Sequence, residues 1–246
     1  MQVFGIIGYP LKHTFSPDYF NKKFCNEKID AEYKTFPLQN ISMLTSLLQK
    51  TNGLAGLNVT LPYKAQVIPY LSKTDSLALK IYAVNTIKVI RNDNSFTTEG
   101  YNTDVYGFEE SIKAILPLHK KALVLGTGGG SAAVCYVLGK YGIRYSLISR
   151  KPANDNILSY HDIVNNNIFE NTLIINTTPL GMYPFIDKYP KIPYHFLTPK
   201  HYLYDLVYNP EETLFLKKGK EMGAGIKNGL EMLILQAEKS WEIWRQ

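Results

Sequence analysis

The chain has 246 residues, of which 45% are apolar and 20% charged, and its formal net charge is +6. This apolar fraction excludes a disordered protein, which combines low hydrophobicity with high net charge. No apolar run approaches the roughly 18 residues that a membrane-spanning helix needs. Because the first residues also lack the basic flank of a secretory signal, we expect a cytoplasmic protein.

The cysteine, histidine and charge patterns argue against several classes of ligand. Cys25 and Cys135 form no C-x-x-C pair, and the five histidines show no spacing typical of metal ligands. The basic residues are dispersed, without the clustered cations and stacking aromatics of a nucleic-acid-binding module. We therefore expect no metal, nucleic-acid or membrane partner, and the basic surplus suits a small anionic ligand.

The first hundred residues alternate strand-like and helix-like segments. Apolar runs and alternation indicate the strands, and apolar residues at helical spacing indicate the helices. Ser16-Pro17 is a typical helix start, with serine as N-cap and proline at the first helical position. The predicted strands are residues 3–8, 31–37, 54–60, 86–91 and 95–99, and the first helices begin near residues 16 and 41.

The pattern changes near Asp104, where a helix is predicted to run to Pro117. Strands then alternate with helical segments, as in parallel βαβ units. The fold class predicted is α/β with two domains: an N-terminal α/β substrate domain and a Rossmann-type doubly wound dinucleotide-binding domain, with a cleft between them. The later strands are predicted at residues 120–126, 143–149, 172–176 and 202–205, with helices at 131–141 and 230–244.

A glycine-rich turn, residues 126–132, follows an apolar strand and opens a helix. Glycines let the backbone approach a pyrophosphate, whose charge the helix N-terminus stabilises. Ser131 replaces the third glycine of the G-x-G-x-x-G fingerprint and is small enough for close packing. The turn therefore predicts dinucleotide binding, although a plain turn is the alternative.

The end of the next strand indicates which coenzyme is bound. NAD usually meets an aspartate or glutamate there, but this chain has Ser149, Arg150 and Lys151. Two cations suit the 2′-phosphate of NADP. The alternative is that both are ordinary surface charges of a loop.

Three polar clusters follow predicted strands in the first half, where active sites of α/β folds gather. Their hydroxyls and amides are suited to a polyhydroxylated ligand. Lys64 and Asp104 are a pair that can carry proton transfer, because an ammonium group donates a proton to a forming alkoxide. Singly, these side chains are better explained as caps and turn braces, because such roles are common. The clusters are residues 13–17, residues 58–64, and residues 85–86 with 102–104.

Together these segments resemble the shikimate dehydrogenase family over nearly the whole chain. The resemblance implies reversible NADPH-dependent reduction of 3-dehydroshikimate to shikimate, in the route to chorismate and aromatic amino acids, by a monomer or homodimer. The motifs that carry it are residues 8–17, 58–64, 83–86, 100–104, 176–182, 204–210 and 229–237.

The resemblance also implies the roles of individual residues. It makes Lys64 and Asp104 the catalytic pair, and it implies a substrate domain of residues 1–102 plus 228–246 and an NADP domain of residues 103–227. The substrate-binding residues would be Thr14, Ser16, Asn58, Thr60, Asn85, Tyr208 and Gln236. The coenzyme-binding residues would be Gly126, Gly128, Gly129, Gly130, Ser131, Ala132, Ser149, Arg150, Lys151, Thr178, Met182 and Gly229.

Two departures from the family pattern bear on specificity. Thr14 stands where the family usually has a serine, and Ser149-Arg150-Lys151 stands where it usually has Asn-Arg-Thr. Thr14 keeps the hydroxyl and adds a methyl group, so a quinate or mixed quinate/shikimate dehydrogenase is an open alternative. A non-catalytic sensor of the same fold is another, but such a sensor has no need of both Lys64 and Asp104.

Overall fold

The structure is a computed structural model that describes residues 1–11, 15–92, 95–154, 156–165 and 170–246. It divides into two compact units, a first unit of residues 1–103 with 237–246, and a second unit of residues 104–236. The domain boundaries expected at residues 102 and 228 stay a prediction.

The elements follow the predicted alternation of strands and helices. No helix in the described ranges is long and apolar enough to cross a membrane. The strands are β1 (Gln2–Gly8), β2 (Ala31–Pro37), β3 (Leu54–Val59), β4 (Lys73–Thr74), β5 (Thr86–Asn92), β6 (Ser95–Tyr101), β7 (Lys121–Leu125), β8 (Arg144–Ser149), β9 (Ile157–Ser159), β10 (Leu173–Asn176), β11 (Tyr202–Asp205) and β12 (Gly225–Lys227). The helices are α1 (Phe15–Asn26), α2 (Leu44–Lys50), α3 (Ser76–Lys80), α4 (Asp104–Ile112), α5 (Gly129–Lys140), α6 (Asp162–Asn165), α7 (Leu214–Glu221) and α8 (Leu230–Arg245).

The sheet of the first unit has the strand order β2-β1-β3-β5-β6-β4. Strand β1 is parallel to β2 and β3, whereas β5 is antiparallel to both β3 and β6. Because β5 runs in the opposite direction, its first residue, Thr86, pairs with Asn58 near the end of β3. The polar segments after β3 and before β5 therefore lie at the same edge of the sheet.

Aromatic packing holds the end of α8 in the first unit. Trp241 and Trp244 belong to a buried cluster with Phe4, Phe20 and Phe24, and the Trp244 Nε1–H donates to the Ile87 carbonyl at 2.9 Å. Aromatic pairs of this kind contribute about 0.5–1.5 kcal/mol each beyond the area that they bury. The position of α8 from residue 237 onward is thus fixed by large apolar side chains.

The sheet of the second unit is parallel in every described pairing, with the order β12-β11-β10-β7-β8-β9. Numbered within the unit, this is the doubly wound order 6-5-4-1-2-3, in which strands are added on one side of β7 as far as β9 and on its other side from β10 onward. The predicted Rossmann-type unit is confirmed. Ligands of such sheets bind at the carboxyl ends of the strands beside this reversal point.

The structure differs from the sequence prediction in several helices. Helix α1 begins at Phe15, so Ser16 lies in its first turn and is buried. Helix α4 ends at Ile112, and Pro117 lies in a separate 3-10 turn, Leu116–Leu118. Helix α7 was not predicted, although the side chain of Thr213 caps it by accepting from the Leu216 N–H. A threonine before apolar residues is the signal for such a start.

Candidate active site

Six polar side chains from five separate segments meet inside the first unit. Each of them is at most 5% exposed. Buried polar groups of this kind must be hydrogen-bonded, because an unpaired one costs about 1–3 kcal/mol. We call this group the buried polar cluster, and its members are Tyr33, Asn58, Asn85, Thr86, Thr103 and Ser240.

The amide of Asn58 is held from both ends. Its Oδ1 accepts a hydrogen bond from the Tyr33 hydroxyl at 2.7 Å, and its Nδ2 donates to Ser240 Oγ at 3.0 Å. Burial raises the pKa of Tyr33 well above its usual value, with a hydrogen bond to Ser16 acting in the opposite direction. Tyr33 therefore stays a neutral donor, and Ser16 joins the buried polar cluster through it.

The amide of Asn85 is bound to the segment that follows β6. Its Oδ1 accepts from the Thr103 backbone N–H at 2.7 Å, and its Nδ2 donates to Thr103 Oγ1 at 3.0 Å. The Ser240 Oγ lies 2.7 Å from Thr86 Oγ1 and 3.2 Å from Thr103 Oγ1. Ser240 thus connects the two asparagines that the sequence analysis singled out.

Two further predicted residues of the first unit, Thr60 and Lys64, lie at the same sheet edge. The Thr60 N–H donates to the Ile7 carbonyl at 2.9 Å, which places Thr60 directly beyond β1 and β3. Lys64 is half-buried, and its carbonyl accepts from the Val84 N–H at 2.7 Å, next to Asn85. Thr14 lies outside the described residues.

Sequence reasoning did not assign a site role to four members of the buried polar cluster: Tyr33, Thr86, Thr103 and Ser240. Thr86 and Thr103 stand beside recognised site residues and were noted only as parts of motifs. A signal was available for Ser240, because it is a polar residue on the stripe that also carries Ala237, Trp241 and Trp244. A fully buried hydroxyl on such a stripe indicates a polar partner from another element.

Three of the predicted catalytic and substrate-binding residues belong to the second unit. Asp104 is the first residue of α4 and is 6% exposed. Gln236 is 7% exposed on α8, and its Nε2 donates to the Leu233 carbonyl at 2.9 Å. Tyr208 is half-buried in the loop after β11, where burial raises its pKa.

The glycine-rich turn has the geometry of an anion-binding turn. Gly126 has a φ of +110°, and a Cβ there would lie 2.8 Å from Thr177 Oγ1, so only glycine fits. Helix α5 starts immediately afterwards with Gly128 as its N-cap, and a Cβ at Gly128 would meet no atom within 4 Å. The helix N-terminus therefore faces open space that suits a pyrophosphate.

The predicted 2′-phosphate residues lie on the neighbouring strand. Ser149 is the last residue of β8, which pairs in parallel with β7. The Ser149 hydroxyl donates to the Lys151 carbonyl at 3.1 Å, and Arg150 and Lys151 are both exposed. Two cations are thus presented at the carboxyl edge of the sheet, one strand away from the glycine-rich turn.

A buried carboxyl group joins the loops that follow β10 and β11. Asp205 Oδ1 accepts from Asn176 Nδ2 at 2.9 Å and from the Val207 N–H at 3.0 Å, and its Oδ2 accepts from the Thr213 hydroxyl at 2.6 Å. Burial raises the pKa of Asp205 to about 7, although these three hydrogen bonds oppose the rise. Asn176 Oδ1 in turn accepts from the Thr178 hydroxyl at 2.6 Å.

Two further predicted coenzyme residues, Met182 after β10 and Gly229 after β12, differ in exposure. Met182 is 45% exposed. Gly229 is buried, and a Cβ at that position would lie 2.3 Å from the Leu206 carbonyl oxygen. The chain can pass beside β11 at residue 229 only with glycine there.

Comparison with known proteins gives consistent matches along the chain. Residues 6–87 match the family described as "Shikimate dehydrogenase substrate binding domain". The protein named shikimate dehydrogenase (NADP(+)) from Methanococcus aeolicus is 38% identical over 99% of this chain and 91% of its own length. Shikimate dehydrogenase 1 from Peptoclostridium difficile has a crystal structure that is similar with a TM-score of 0.86 at 35% identity, covering 100% of this chain and 92% of that one. A quinate dehydrogenase from Corynebacterium glutamicum in complex with NAD gives a TM-score of 0.85 at 26% identity, covering 99% and 93%.

Proposed function

The chain belongs to the shikimate dehydrogenase family, and on that premise we propose that it catalyses the reversible reduction of 3-dehydroshikimate to shikimate with NADPH. The observation that carries the proposal is the buried polar cluster, which holds the amides of Asn58 and Asn85 in fixed orientations at one sheet edge. Fixed amides are what recognition of a ring with several hydroxyl groups requires, since each contact must be aimed at one oxygen.

The second unit supplies a site that fits the coenzyme. The turn of residues 126–132 would hold the pyrophosphate, because Gly126 adopts a conformation open only to glycine and Gly128 leaves space at the start of α5. Arg150 would bind the 2′-phosphate, with Lys151 and Ser149 beside it. Thr178, Met182 and Gly229 would lie by the ribose and nicotinamide. When bound, NADPH supplies the hydride.

Hydroxyl and amide groups would bind the substrate. Those of the first unit would bind the ring hydroxyls and the carboxylate at the edge where β1 and β3 end. Tyr208 and Gln236 are also proposed to bind the substrate. The first-unit residues proposed for this role are Thr14, Ser16, Asn58, Thr60 and Asn85.

Lys64 and Asp104 are the proposed catalytic pair. Charge develops on the carbonyl oxygen of 3-dehydroshikimate as its carbon is reduced, and the Lys64 ammonium group stabilises and then protonates that oxygen. Asp104 orients the neighbouring hydroxyl and keeps the lysine in place.

Shikimate and quinate turnover distinguish the proposal from its nearest alternative. Quinate dehydrogenase shares the fold, as the Corynebacterium structure illustrates. Purified protein is offered shikimate or quinate, each with NADP+ or NAD+, at alkaline pH, and nicotinamide absorbance is followed. Fast reduction of the coenzyme only in the mixture of shikimate and NADP+ supports the proposal. Preference for quinate or NAD+ contradicts the assigned specificity, and no turnover in folded protein favours a metabolite-binding sensor.

A further inference from the structure

We propose that Ser240 is a positioning residue, which acts through Asn58 to set the affinity for the substrate. The inference rests on the proposed function only in taking Asn58 as a substrate-binding residue. Ser240 is fully buried on α8 and is itself not placed among the groups that would touch the substrate.

The contacts of Ser240 join three elements at one atom. Its Oγ accepts from Asn58 Nδ2 at 3.0 Å, since an amide N–H can only donate. The same oxygen shares hydrogen bonds with Thr86 Oγ1 at 2.7 Å and Thr103 Oγ1 at 3.2 Å. Strand β3, the start of β5 and the segment after β6 are therefore connected through one hydroxyl group of α8.

The hydroxyl restricts the movement of the Asn58 amide. Tyr33 donates to Oδ1 on one side, and Ser240 accepts from Nδ2 on the other. Without the Ser240 hydroxyl, Nδ2 loses its shortest hydrogen bond, leaving contacts of 3.3 Å to the Asn85 carbonyl and 3.4 Å to Thr86 Oγ1. The amide is then less restricted, and a substrate contact that depends on its orientation weakens.

The packing of α8 allows the positioning role of Ser240 to be tested separately from the structural role of the helix. Trp241 and Trp244 fix the helix against the aromatic cluster of Phe4, Phe20 and Phe24. Alanine is the best helix-forming residue, so Ser240→Ala removes the hydroxyl while leaving the helix intact. The expected effect is therefore on hydrogen bonds inside the buried polar cluster.

The kinetic test compares Ser240→Ala with a matched loss of a buried serine hydroxyl elsewhere. Ser111 is 4% exposed, and its Oγ lies 2.7 Å from the Tyr204 hydroxyl in the second unit. Ser240→Ala should raise the KM for shikimate by about 3- to 10-fold, the equivalent of one hydrogen bond, and change kcat and the KM for NADP+ by less than about twofold. Ser111→Ala should lower the melting temperature without changing the KM for shikimate.

A double-mutant cycle tests whether Ser240 acts through Asn58. In the Asn58→Ala background, Ser240→Ala should have no further effect on the KM for shikimate, because the amide that it orients is gone. Additive effects of the two substitutions would overturn the inference. An unchanged KM in Ser240→Ala, with a lower melting temperature alone, would overturn it too.

An NMR measurement of the whole chain without substrate separates this inference from the proposed function. The side-chain amide protons of Asn58 should exchange faster or broaden in Ser240→Ala, and should be unchanged in Ser111→Ala. Unchanged Asn58 signals in Ser240→Ala would contradict the positioning role. Absence of shikimate turnover by the unsubstituted protein would instead refute the proposed function, and with it the effect on affinity, while the amide signals still report whether Ser240 orients Asn58.

Discussion

Lys64 is the residue on which the proposed chemistry depends most directly. A general acid in the right place contributes about 10²- to 10⁴-fold to the rate, so Lys64→Ala should lower kcat by that factor. The KM for shikimate should change much less, because the lysine acts mainly on the charge that develops during reduction. Steady-state kinetics check this, with the melting temperature as evidence of folding. An unchanged kcat would exclude Lys64 as the acid.

Arg150 carries the prediction about coenzyme choice. Arg150→Ala should raise the KM for NADP+ by about 10- to 100-fold, because one charge-assisted contact with the 2′-phosphate is lost. NAD+ lacks that phosphate, so its KM should be unchanged. Lys120→Ala is the matched control, since Lys120 is an exposed cation that precedes β7 at the opposite edge of the sheet. Equal effects on both coenzymes would contradict the assignment.

Single residues also mark the limit of sequence reasoning. Asn58 and Asn85 are identifiable because they lie in short motifs at predicted strand ends. Tyr33 is not, because it looks like an ordinary member of a strand until the fold brings it to Asn58. The helical stripe of Ser240 indicates a polar partner but does not say that the partner is Asn58. The hydrogen bond between Asn58 and Ser240 spans 182 positions in the sequence. No local pattern contains that information.

At the scale of elements, helix α5 allows a direct test of the glycine-rich turn. A Cβ at Gly128 or at Gly139 would meet no atom within 4 Å, so neither substitution by alanine should disturb the packing. Gly139→Ala lies inside the helix and should stabilise the protein by roughly 0.5–1 kcal/mol. Gly128→Ala should leave stability nearly unchanged but raise the KM for NADP+, because its methyl group occupies the space proposed for the pyrophosphate.

Thermal unfolding and coenzyme kinetics of the two variants check this prediction. If Gly128→Ala binds NADP+ as well as Gly139→Ala does, the pyrophosphate does not lie at the start of α5.

The loops after β10 and β11 are joined by Asp205, which makes the stability of the second unit depend on pH. Burial raises the pKa of Asp205 to about 7 from a usual value near 4. Between these values the folded protein keeps a proton that the unfolded chain has released. The contribution of Asp205 to the free energy of unfolding therefore falls as pH rises from about 4 to about 7.

Asp205→Asn should remove this dependence, since an amide does not titrate and its oxygen can still accept from Asn176. Urea unfolding at several pH values between 5 and 8 measures how the free energy of unfolding depends on pH. Asp187→Asn is the control, because the pKa of this exposed carboxyl is lowered beside Lys188 and it titrates below that range. If the free energy of unfolding changes with pH as steeply in Asp205→Asn as in the unsubstituted protein, the prediction is wrong.

For the whole molecule, the sequence predicts the architecture better than the site. Strong apolar runs identify β1, β3, β7, β10 and β11, and the glycine-rich turn identifies where the doubly wound unit begins. The two-residue strand β4 and the three-residue strands β9 and β12 escape prediction, because so few residues form no recognisable period. They are placed by pairing with longer neighbours.

The buried polar cluster also fixes an order of events during synthesis. Thr103 and Ser240, whose hydroxyl groups are bonded, lie 137 positions apart, and the second unit is encoded between them. A ribosome adds residues from the N-terminus onward. The first sheet can therefore begin to form early, but its polar interior stays open until the second unit has been translated. The unit that starts first is the one that is finished last.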